Sequence, residues 1–203
     1  MTIKAIIWDN WGVIVDAKYG SVVKIWSDLL NAPIEGVAKV FSGDELNQLQ
    51  AAEITTEEYY DYVIRELNLP EESKDLLRNE PKESYAYDED LVSYIRKLKK
   101  DYTIALLTNI DHSFLKKFRD YYPEVVGMFD HVIASCVVKM IKPDPNIYKL
   151  TLKNIGCKPE EAVFIDDTEV YVKAAIDLGI HGIQYSNREQ AVHDLETLLA
   201  AKR

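Results

Sequence analysis

The chain has 203 residues, of which 47% are hydrophobic and 29% are charged, and its net charge is −10. This composition excludes global disorder, and the length suits one domain with, at most, a modest insertion. The negative charge disfavours nucleic acid and anionic membranes as partners, because both are bound through Lys and Arg. No apolar run approaches the roughly 20 residues that cross a bilayer.

The chain begins with MTIKAIIWDN, which predicts a first strand and not a signal peptide. The two cysteines, Cys136 and Cys157, are far apart and match no metal-binding spacing. They are typical of small buried side chains in a reduced protein. We therefore expect a cytoplasmic protein.

Short apolar runs alternate with amphipathic segments along most of the chain. The apolar runs predict strands buried on both faces, as in a parallel sheet. They cover 3–8, 103–107, 131–134, 162–165 and, more weakly, 180–184. The amphipathic segments that predict helices are 88–100, 111–120, 145–155, 168–178 and 188–201. This alternation indicates an α/β fold with a doubly wound parallel sheet and right-handed crossovers.

Residues 15–85 break this alternation, because they hold no convincing buried strand. Their amphipathic patterns predict helices over 19–31, 34–41, 44–52 and 56–67. The last helix is preceded by Thr55 and Glu58 at the spacing of a capping box. We predict a core domain formed by 1–14 and 86–203, and an all-helical cap domain formed by 15–85 between them.

Polar side chains follow three of the predicted strands, and a lysine lies on a loop before a helix. These residues are Asp9, Thr108, Asn109, Asp166 and Asp167, with Lys142 on the loop. Because sites in open α/β sheets lie at the carboxyl ends of the strands, we expect these groups to converge at one edge. A carboxylate can attack phosphorus, carboxylates hold Mg²⁺, and a lysine and a hydroxyl bind phosphoryl oxygens.

Some of these residues also have a simpler interpretation. Asp9 could be a turn residue, Asn109 or Asp111 could cap the following helix, and Lys142 could be a solvated loop lysine. The adjacent acids Asp166 and Asp167 are harder to explain in this way. They repel each other unless a cation lies nearby.

Four motifs in order carry a resemblance to a known family. They are IIWDNWGVIVD (6–16), LLTN (106–109), KPDPNIY (142–148) and VFIDD (163–167). In their order and spacing they resemble the motifs of the haloacid dehalogenase (HAD) superfamily of hydrolases, over nearly the whole chain. Within that superfamily the chain looks like the small phosphatases related to the epoxide hydrolase N-terminal domain and to bacterial sugar-phosphate phosphatases.

The resemblance implies a Rossmann-like core, a helical cap and Mg²⁺-dependent hydrolysis of a small phosphorylated metabolite. By resemblance Asp9 is the nucleophile, Lys142 steadies Asp9 and the phosphoryl group, and Thr108 and Asn109 bind phosphoryl oxygens. Asp9, Asp166, Asp167 and the backbone carbonyl of Trp11 would hold Mg²⁺. Gly12 is expected to form a backbone turn near the phosphate.

Two positions depart from the usual phosphatase pattern. Trp11 stands where a second Asp usually protonates the leaving group, and Tyr171 stands where related phosphatases often carry Asn. Dehalogenases have an aromatic residue at the first position, which leaves a metal-independent 2-haloacid dehalogenase as an alternative. A catalytically weak protein that binds phosphate or a partner is the second alternative.

An acid from the cap, Asp16, Glu45 or Glu53, could also replace the acid that is missing at position 11. Both a monomer and a homodimer fit the sequence.

Overall fold

A parallel sheet of five strands forms the centre of the computed structural model, which describes residues 2–15, 19–79 and 86–202. The strands are β1 (Ala5–Trp8), β2 (Thr103–Thr108), β3 (His131–Ala134), β4 (Ala162–Asp166) and β5 (His181–Gln184). Their spatial order is β3-β2-β1-β4-β5, and every neighbouring pair is parallel. All five predicted strands and the α/β fold class are confirmed.

Both faces of the sheet are buried, which explains why its strands are continuous apolar runs. Successive residues of a strand point to opposite faces, so the central strands β1, β2 and β4 each contribute to two hydrophobic clusters. On one face the cluster includes Ile6, Ile104 and Val163. On the other face the cluster includes Ile7, Ala105 and Phe164.

The helices of the core follow the strands in the alternating order that the sequence predicts. They are α6 (Glu89–Leu98), α7 (His112–Tyr121), α8 (Pro123–Val126), α9 (Ser135–Val138), α10 (Pro145–Ile155), α11 (Glu169–Asp177) and α12 (Arg188–Ala201). Asp88, Asp111 and Asp144 are N-caps whose side chains accept backbone N–H groups of α6, α7 and α10. Helices α8 and α9 were not predicted, since four residues are too few to show a helical period.

A group of helices lies between β1 and α6 in the sequence. It consists of α1 (Tyr19–Leu30), α2 (Ile34–Val40), α3 (Asp44–Gln50), α4 (Thr56–Glu66) and α5 (Lys74–Arg78). The predicted capping box at Thr55 and Glu58 is present at the start of α4. The buried members of one hydrophobic cluster all come from this region, between Val23 and Leu77. We call these helices the cap; its predicted bounds stay a prediction, and residue 85 lies outside the described residues.

The chain leaves the sheet and returns to it at neighbouring points. After β1, the carbonyl of Asn10 accepts the N–H groups of Ile14 and Val15, both at 2.9 Å, which makes a compact turn. Val15 then forms an antiparallel bridge with Tyr87, where the chain returns from the cap. The cap is thus attached beside the carboxyl end of β1. In the described part of the chain, none of the helices is both long enough and apolar enough to cross a membrane.

Candidate active site

The topological switch point of the sheet lies between β1 and β4, because β2 and β3 lie on one side of β1 whereas β4 and β5 lie on the other. The candidate nucleophile is located at this switch point. Asp9 follows β1, and its N–H donates to the carbonyl of Ile165 at 2.9 Å, which extends the ladder between β1 and β4 by one residue. The side chain of Asp9 is buried, and its Oδ1 accepts a hydrogen bond from Lys142 Nζ at 2.6 Å. Asp9 therefore occupies a position fixed by the sheet and not by a loose turn.

Lys142 is 1% exposed and bridges two of the predicted acids. Its Nζ lies 2.6 Å from Asp9 Oδ1 and 2.6 Å from Asp166 Oδ2. Burial raises the pKa of Asp9 to about 7 against the opposing effect of Lys142, and Asp166 adds to the rise. Burial alone would lower the pKa of Lys142, but the two carboxylates outweigh it and raise that pKa above its ordinary value. Lys142 is therefore a buried ammonium group paired with two carboxylates, not a solvated loop lysine.

Asn109 holds the loop that carries Lys142. Its Oδ1 accepts the backbone N–H of Lys142 at 2.8 Å, and its Nδ2 donates to the backbone carbonyl of Lys142 at 3.0 Å. Tyr171 packs over the same lysine, with its ring centroid 5.0 Å from Nζ. The side chain of Asn109 thus positions Lys142, and the ring of Tyr171 covers it.

Three carboxylates meet at the ends of β1 and β4. Asp9, Asp166 and Asp167 each offer an oxygen within 4.8 Å of the other two. The backbone N–H of Thr168 donates to Asp166 Oδ1 at 2.8 Å, which leaves the other Asp166 oxygen on Lys142. Desolvation and the neighbouring Asp166 carboxylate raise the pKa of Asp167. Lys142 supplies one positive charge against three carboxylates, so the donor set fits a hard divalent cation such as Mg²⁺.

The backbone of Gly12 lies close to the carboxylate of Asp167. Its φ is +76°, and a Cβ added at this position would lie 2.3 Å from Asp167 Oδ2. A side chain at position 12 would therefore displace the Asp167 carboxylate, in a backbone conformation that L-residues rarely adopt. The glycine is required at this point for two separate reasons.

We expect Gly12→Ala to weaken Mg²⁺ binding about tenfold or more, because the Asp167 carboxylate must move. Gly156→Ala is the matched control: Gly156 has a φ of +75°, but nothing lies within 4 Å of the added Cβ. Both variants should lose similar stability, about 1–2 kcal/mol. Calorimetric Mg²⁺ titration separates them, and equal Mg²⁺ affinities would contradict the proposed role of Gly12.

Thr108 presents an unsatisfied hydroxyl at the end of β2. Its Oγ1 is buried and makes no hydrogen bond to the described residues. An unpaired buried hydroxyl costs free energy, so such a group is normally satisfied by a ligand or an ordered water. This fits the predicted contact of Thr108 with a phosphoryl oxygen.

Trp11 lies beside the site and packs on the core. Its ring centroid is 4.6 Å from that of Phe114, the third residue of α7, with the rings tilted by 50°. Both rings line a pocket of about 450 Å³ whose walls also include Asp9, Gly12, Lys142 and Asp167. The aromatic departure at position 11 therefore faces the same space as the predicted nucleophile.

The cap forms the far wall of this pocket, and sequence reasoning missed most of the residues there. Trp26, Phe41, Tyr59 and Tyr60 line it from the cap, and Phe114 and Lys117 line it from α7. In the sequence these are ordinary apolar positions of amphipathic helices or a surface lysine, so no local pattern singles them out. Only the cap's location between the first two motifs indicated that it would cover the site.

Two of the three proposed replacement acids do not line the pocket in the part of the chain that the structure describes. Neither Glu45 nor Glu53 lines it, and Asp16 lies outside the described residues. Asp111 does line it, and its Oδ1 accepts the N–H groups of Ser113 and Phe114 at 2.8 and 3.1 Å. The helix-cap interpretation of Asp111 is therefore confirmed.

The fold and this arrangement of acids and lysine define a class of hydrolase, and sequence comparison identifies the same class. A family model for haloacid dehalogenase-like hydrolases matches residues 3–179. The chain belongs to this family. It is a hydrolase of the HAD superfamily, as its four motifs predicted.

Individual relatives agree with this assignment. Acyl-CoA dehydrogenase family member 10 from Mus musculus is 32% identical over 97% of this chain, and bifunctional epoxide hydrolase 2 from Sus scrofa is 39% identical over 48%. This chain spans only 19% and 18% of those two proteins. The HAD family enzyme bt-2542 from Bacteroides thetaiotaomicron has the same fold, with a TM-score of 0.80, 23% identity and coverage of 96% of this chain and 99% of that one.

Both reactions considered for this chain occur among its relatives. Glyceraldehyde 3-phosphate phosphatase from Pyrococcus furiosus is 28% identical over 68% of this chain and 60% of its own length. (S)-2-haloacid dehalogenase 4A from Burkholderia cepacia is 23% identical over 92% of this chain and 84% of its own. The structure of the wild-type bt-2542 enzyme was also solved with magnesium and inorganic phosphate. It has a TM-score of 0.78 and 23% identity, and the match covers 94% of this chain and 98% of that one.

Proposed function

We propose that this hydrolase is a Mg²⁺-dependent phosphatase that acts on a small phosphorylated metabolite. The observation that carries the proposal is the cluster of Asp9, Asp166 and Asp167, whose oxygens lie within 4.8 Å of one another beside a single bridging lysine. Three carboxylates so close together repel one another, and one ammonium ion cannot balance them. A divalent cation, and a phosphoryl group bound to it, would complete the charge balance.

Each residue has a defined part in this proposal. Asp9 attacks phosphorus with the carboxylate oxygen that Lys142 does not bind, while Lys142 keeps the carboxylate oriented and offsets the negative charge of the phosphoryl oxygens. Thr108 donates its unsatisfied hydroxyl to one of those oxygens. Asp166, Asp167 and Asp9 would hold Mg²⁺ with the carbonyl of Trp11, and the ion would supply further positive charge to the phosphoryl group.

A metal-independent dehalogenase is the main alternative, and Trp11 is the observation that favours it. Expulsion of a halide needs no proton, so the aromatic residue at this position would be harmless. The same reaction gives no reason for Asp167, which adds repulsion to a site that already holds two acids. We therefore favour phosphoryl transfer.

The test is hydrolysis of phenyl phosphate by the purified chain with Mg²⁺ and with excess EDTA. We expect EDTA to lower phosphate release at least about a hundredfold, which corresponds to about 2.7 kcal/mol of barrier. Chloride release from 2-chloropropionate is measured in parallel, under both conditions. Chloride release that EDTA leaves unchanged, without phosphate release, would establish the dehalogenase instead.

A third outcome would indicate a binding protein. In that case Mg²⁺ and inorganic phosphate together would raise the melting temperature, because a ligand that binds only the folded state stabilises it. Neither phosphate nor chloride would be released. The proposed phosphatase would then be wrong, although the site would still bind its ligands.

A further inference from the structure

The wall of the pocket and the residue at position 11 both constrain the leaving group of the substrate. We propose that the site is selective for phosphate monoesters of aromatic hydroxyl groups, over those of sugars and alkyl alcohols. This proposal rests on the phosphatase function proposed above and names its substrate class. Two independent observations carry it.

The first observation is the composition of the pocket wall. Aromatic rings line it from both the core and the cap: Trp11, Phe114, Trp26, Phe41, Tyr59 and Tyr60. The rings of Trp26 and Phe41 are stacked, with centroids 5.7 Å apart and an angle of 29° between their planes. Aromatic surfaces prefer to pack against other rings, and the volume of about 450 Å³ admits a phosphoryl group and a bicyclic ring together.

The aromatic rings of this wall are poor partners for the hydroxyl groups of a sugar. The Tyr59 hydroxyl donates to the carbonyl of Val40 at 2.8 Å, and the Tyr60 hydroxyl donates to that of Leu77 at 3.1 Å. Both tyrosines therefore offer their rings to the pocket, while their hydroxyls bind the cap. Other polar side chains also line the pocket: Ser42, Asn47, Gln50, Thr56, Ser113 and Lys117, of which Ser42 and Asn47 are exposed. A polyhydroxylated ligand would lose hydrogen bonds to water wherever its hydroxyls face the aromatic rings, which do not replace those bonds.

The second observation is the chemistry of position 11. The indole N–H does not titrate in water, so Trp11 cannot protonate a departing alkoxide, and such a proton transfer is worth about 10²–10⁴-fold in rate. A phenol has a pKa near about 10, whereas water and simple alcohols lie near about 16. A phenolate leaves without protonation far more readily than an alkoxide. Trp11 lacks an acidic group and also supplies an aromatic surface. The missing acid and the aromatic surface both favour an aryl phosphate as the substrate.

The proposed reaction needs no further co-reactant. An Asp9 oxygen forms a bond to phosphorus while the bond between phosphorus and the aryl oxygen breaks, and the phenolate leaves with the electron pair. The phenolate takes its proton from solvent. Water then attacks the phosphorus of the aspartyl phosphate, which restores the Asp9 carboxylate and releases phosphate and a proton.

The test compares four substrates by kcat/KM, which reports the steps up to the first irreversible one. 1-Naphthyl phosphate combines a ring with a good leaving group, and acetyl phosphate has a good leaving group without a ring. 2-Phenylethyl phosphate has a ring with a poor leaving group, and glycerol 3-phosphate has neither property. We expect 1-naphthyl phosphate to exceed 2-phenylethyl phosphate by about a hundredfold or more, and acetyl phosphate by at least tenfold.

Two variants separate the two effects. Trp11→Asp should raise kcat/KM for 2-phenylethyl phosphate at least tenfold and change that for 1-naphthyl phosphate much less. Phe114→Leu should lower kcat/KM for 1-naphthyl phosphate several-fold more than it lowers that for acetyl phosphate. Tyr121→Leu is the matched control for Phe114→Leu, because it makes a similar change at the end of the same helix outside the pocket wall. If Trp11→Asp does not fold, the four wild-type values and Phe114→Leu still decide the question.

The outcomes also distinguish this proposal from the function on which it rests. Mg²⁺-dependent hydrolysis of all four phosphates at rates within tenfold of one another would overturn the selectivity and keep the phosphatase. Equal rates for the two ring-bearing substrates would show that another group, such as Asp111, supplies the proton, and would likewise overturn it. No hydrolysis of any of the four would reject the phosphatase itself.

Discussion

Asp9→Asn should lower Mg²⁺-dependent hydrolysis of phenyl phosphate at least about a thousandfold, because the amide has no charged oxygen with which to attack phosphorus. The side chain keeps its size, so the buried position beside β4 should still be filled and the protein should fold. Acid quenching of the wild-type enzyme during turnover should trap a phosphoryl group on the peptide that contains Asp9. Mass spectrometry detects that group and should find none in the variant.

The control for this substitution is Asp144→Asn. Asp144 lies two residues after Lys142, and as the N-cap of α10 it accepts the N–H of Asn146 at 2.9 Å. Asn is as good an N-cap as Asp, so the helix should be retained and turnover should stay within about twofold. Activity in Asp9→Asn close to that of Asp144→Asn would remove Asp9 from the reaction and leave the covalent route without a nucleophile.

Lys142→Met should be the most destabilising single change in the site. It leaves the buried carboxylates of Asp9 and Asp166 without their shared cation, and breaking such a buried pair costs about 3–5 kcal/mol. Hydrolysis should be lost as well. Urea unfolding without Mg²⁺ measures the free energy of unfolding, and added Mg²⁺ should stabilise this variant more than the wild type, since the ion would restore positive charge between the acids.

Two further variants make this measurement specific. Lys173→Met breaks an exposed pair with Asp177 on α11, and it should change the free energy of unfolding by no more than about 0.5 kcal/mol. The double variant Asp9→Asn with Lys142→Met should be less destabilised than the sum of its parts, because one uncompensated charge is gone. Strict additivity would mean that the two side chains do not interact, contrary to their 2.6 Å separation.

The parts of the molecule that could be predicted are those that one local pattern determines. A strand such as Ala162–Asp166 must be apolar along its whole length to be buried on both faces, so its sequence identifies it and locates Asp166 at its end. The capping box at Thr55 and Glu58 is equally local. Because strand ends meet at one edge of a parallel sheet, Asp9, Asp166 and Lys142 could be placed together before their distances were known.

The parts that could not be predicted depend on contacts between distant segments. The side chain of Asn109 holds the backbone of Lys142, 33 residues away, and this contact could not be predicted, whereas the expected contact of Asn109 with phosphoryl oxygens stays a prediction. The close approach of Gly12 to Asp167 and the contact between Trp11 and Phe114 likewise cannot be predicted from the sequence. The short helix Lys74–Arg78 has too few residues for a periodic pattern.

The separation of the hydrophobic clusters has a consequence for how this enzyme can evolve. The buried members of the cap cluster lie between Val23 and Leu77, whereas the clusters that support the sheet are formed by other residues. A mutation that repacks the cap therefore alters the roof of the pocket without disturbing the strands that carry Asp9 and Asp166. Substrate specificity can therefore change by mutation of the cap while the catalytic residues stay in place. Related chains can then differ in their substrates and share one reaction.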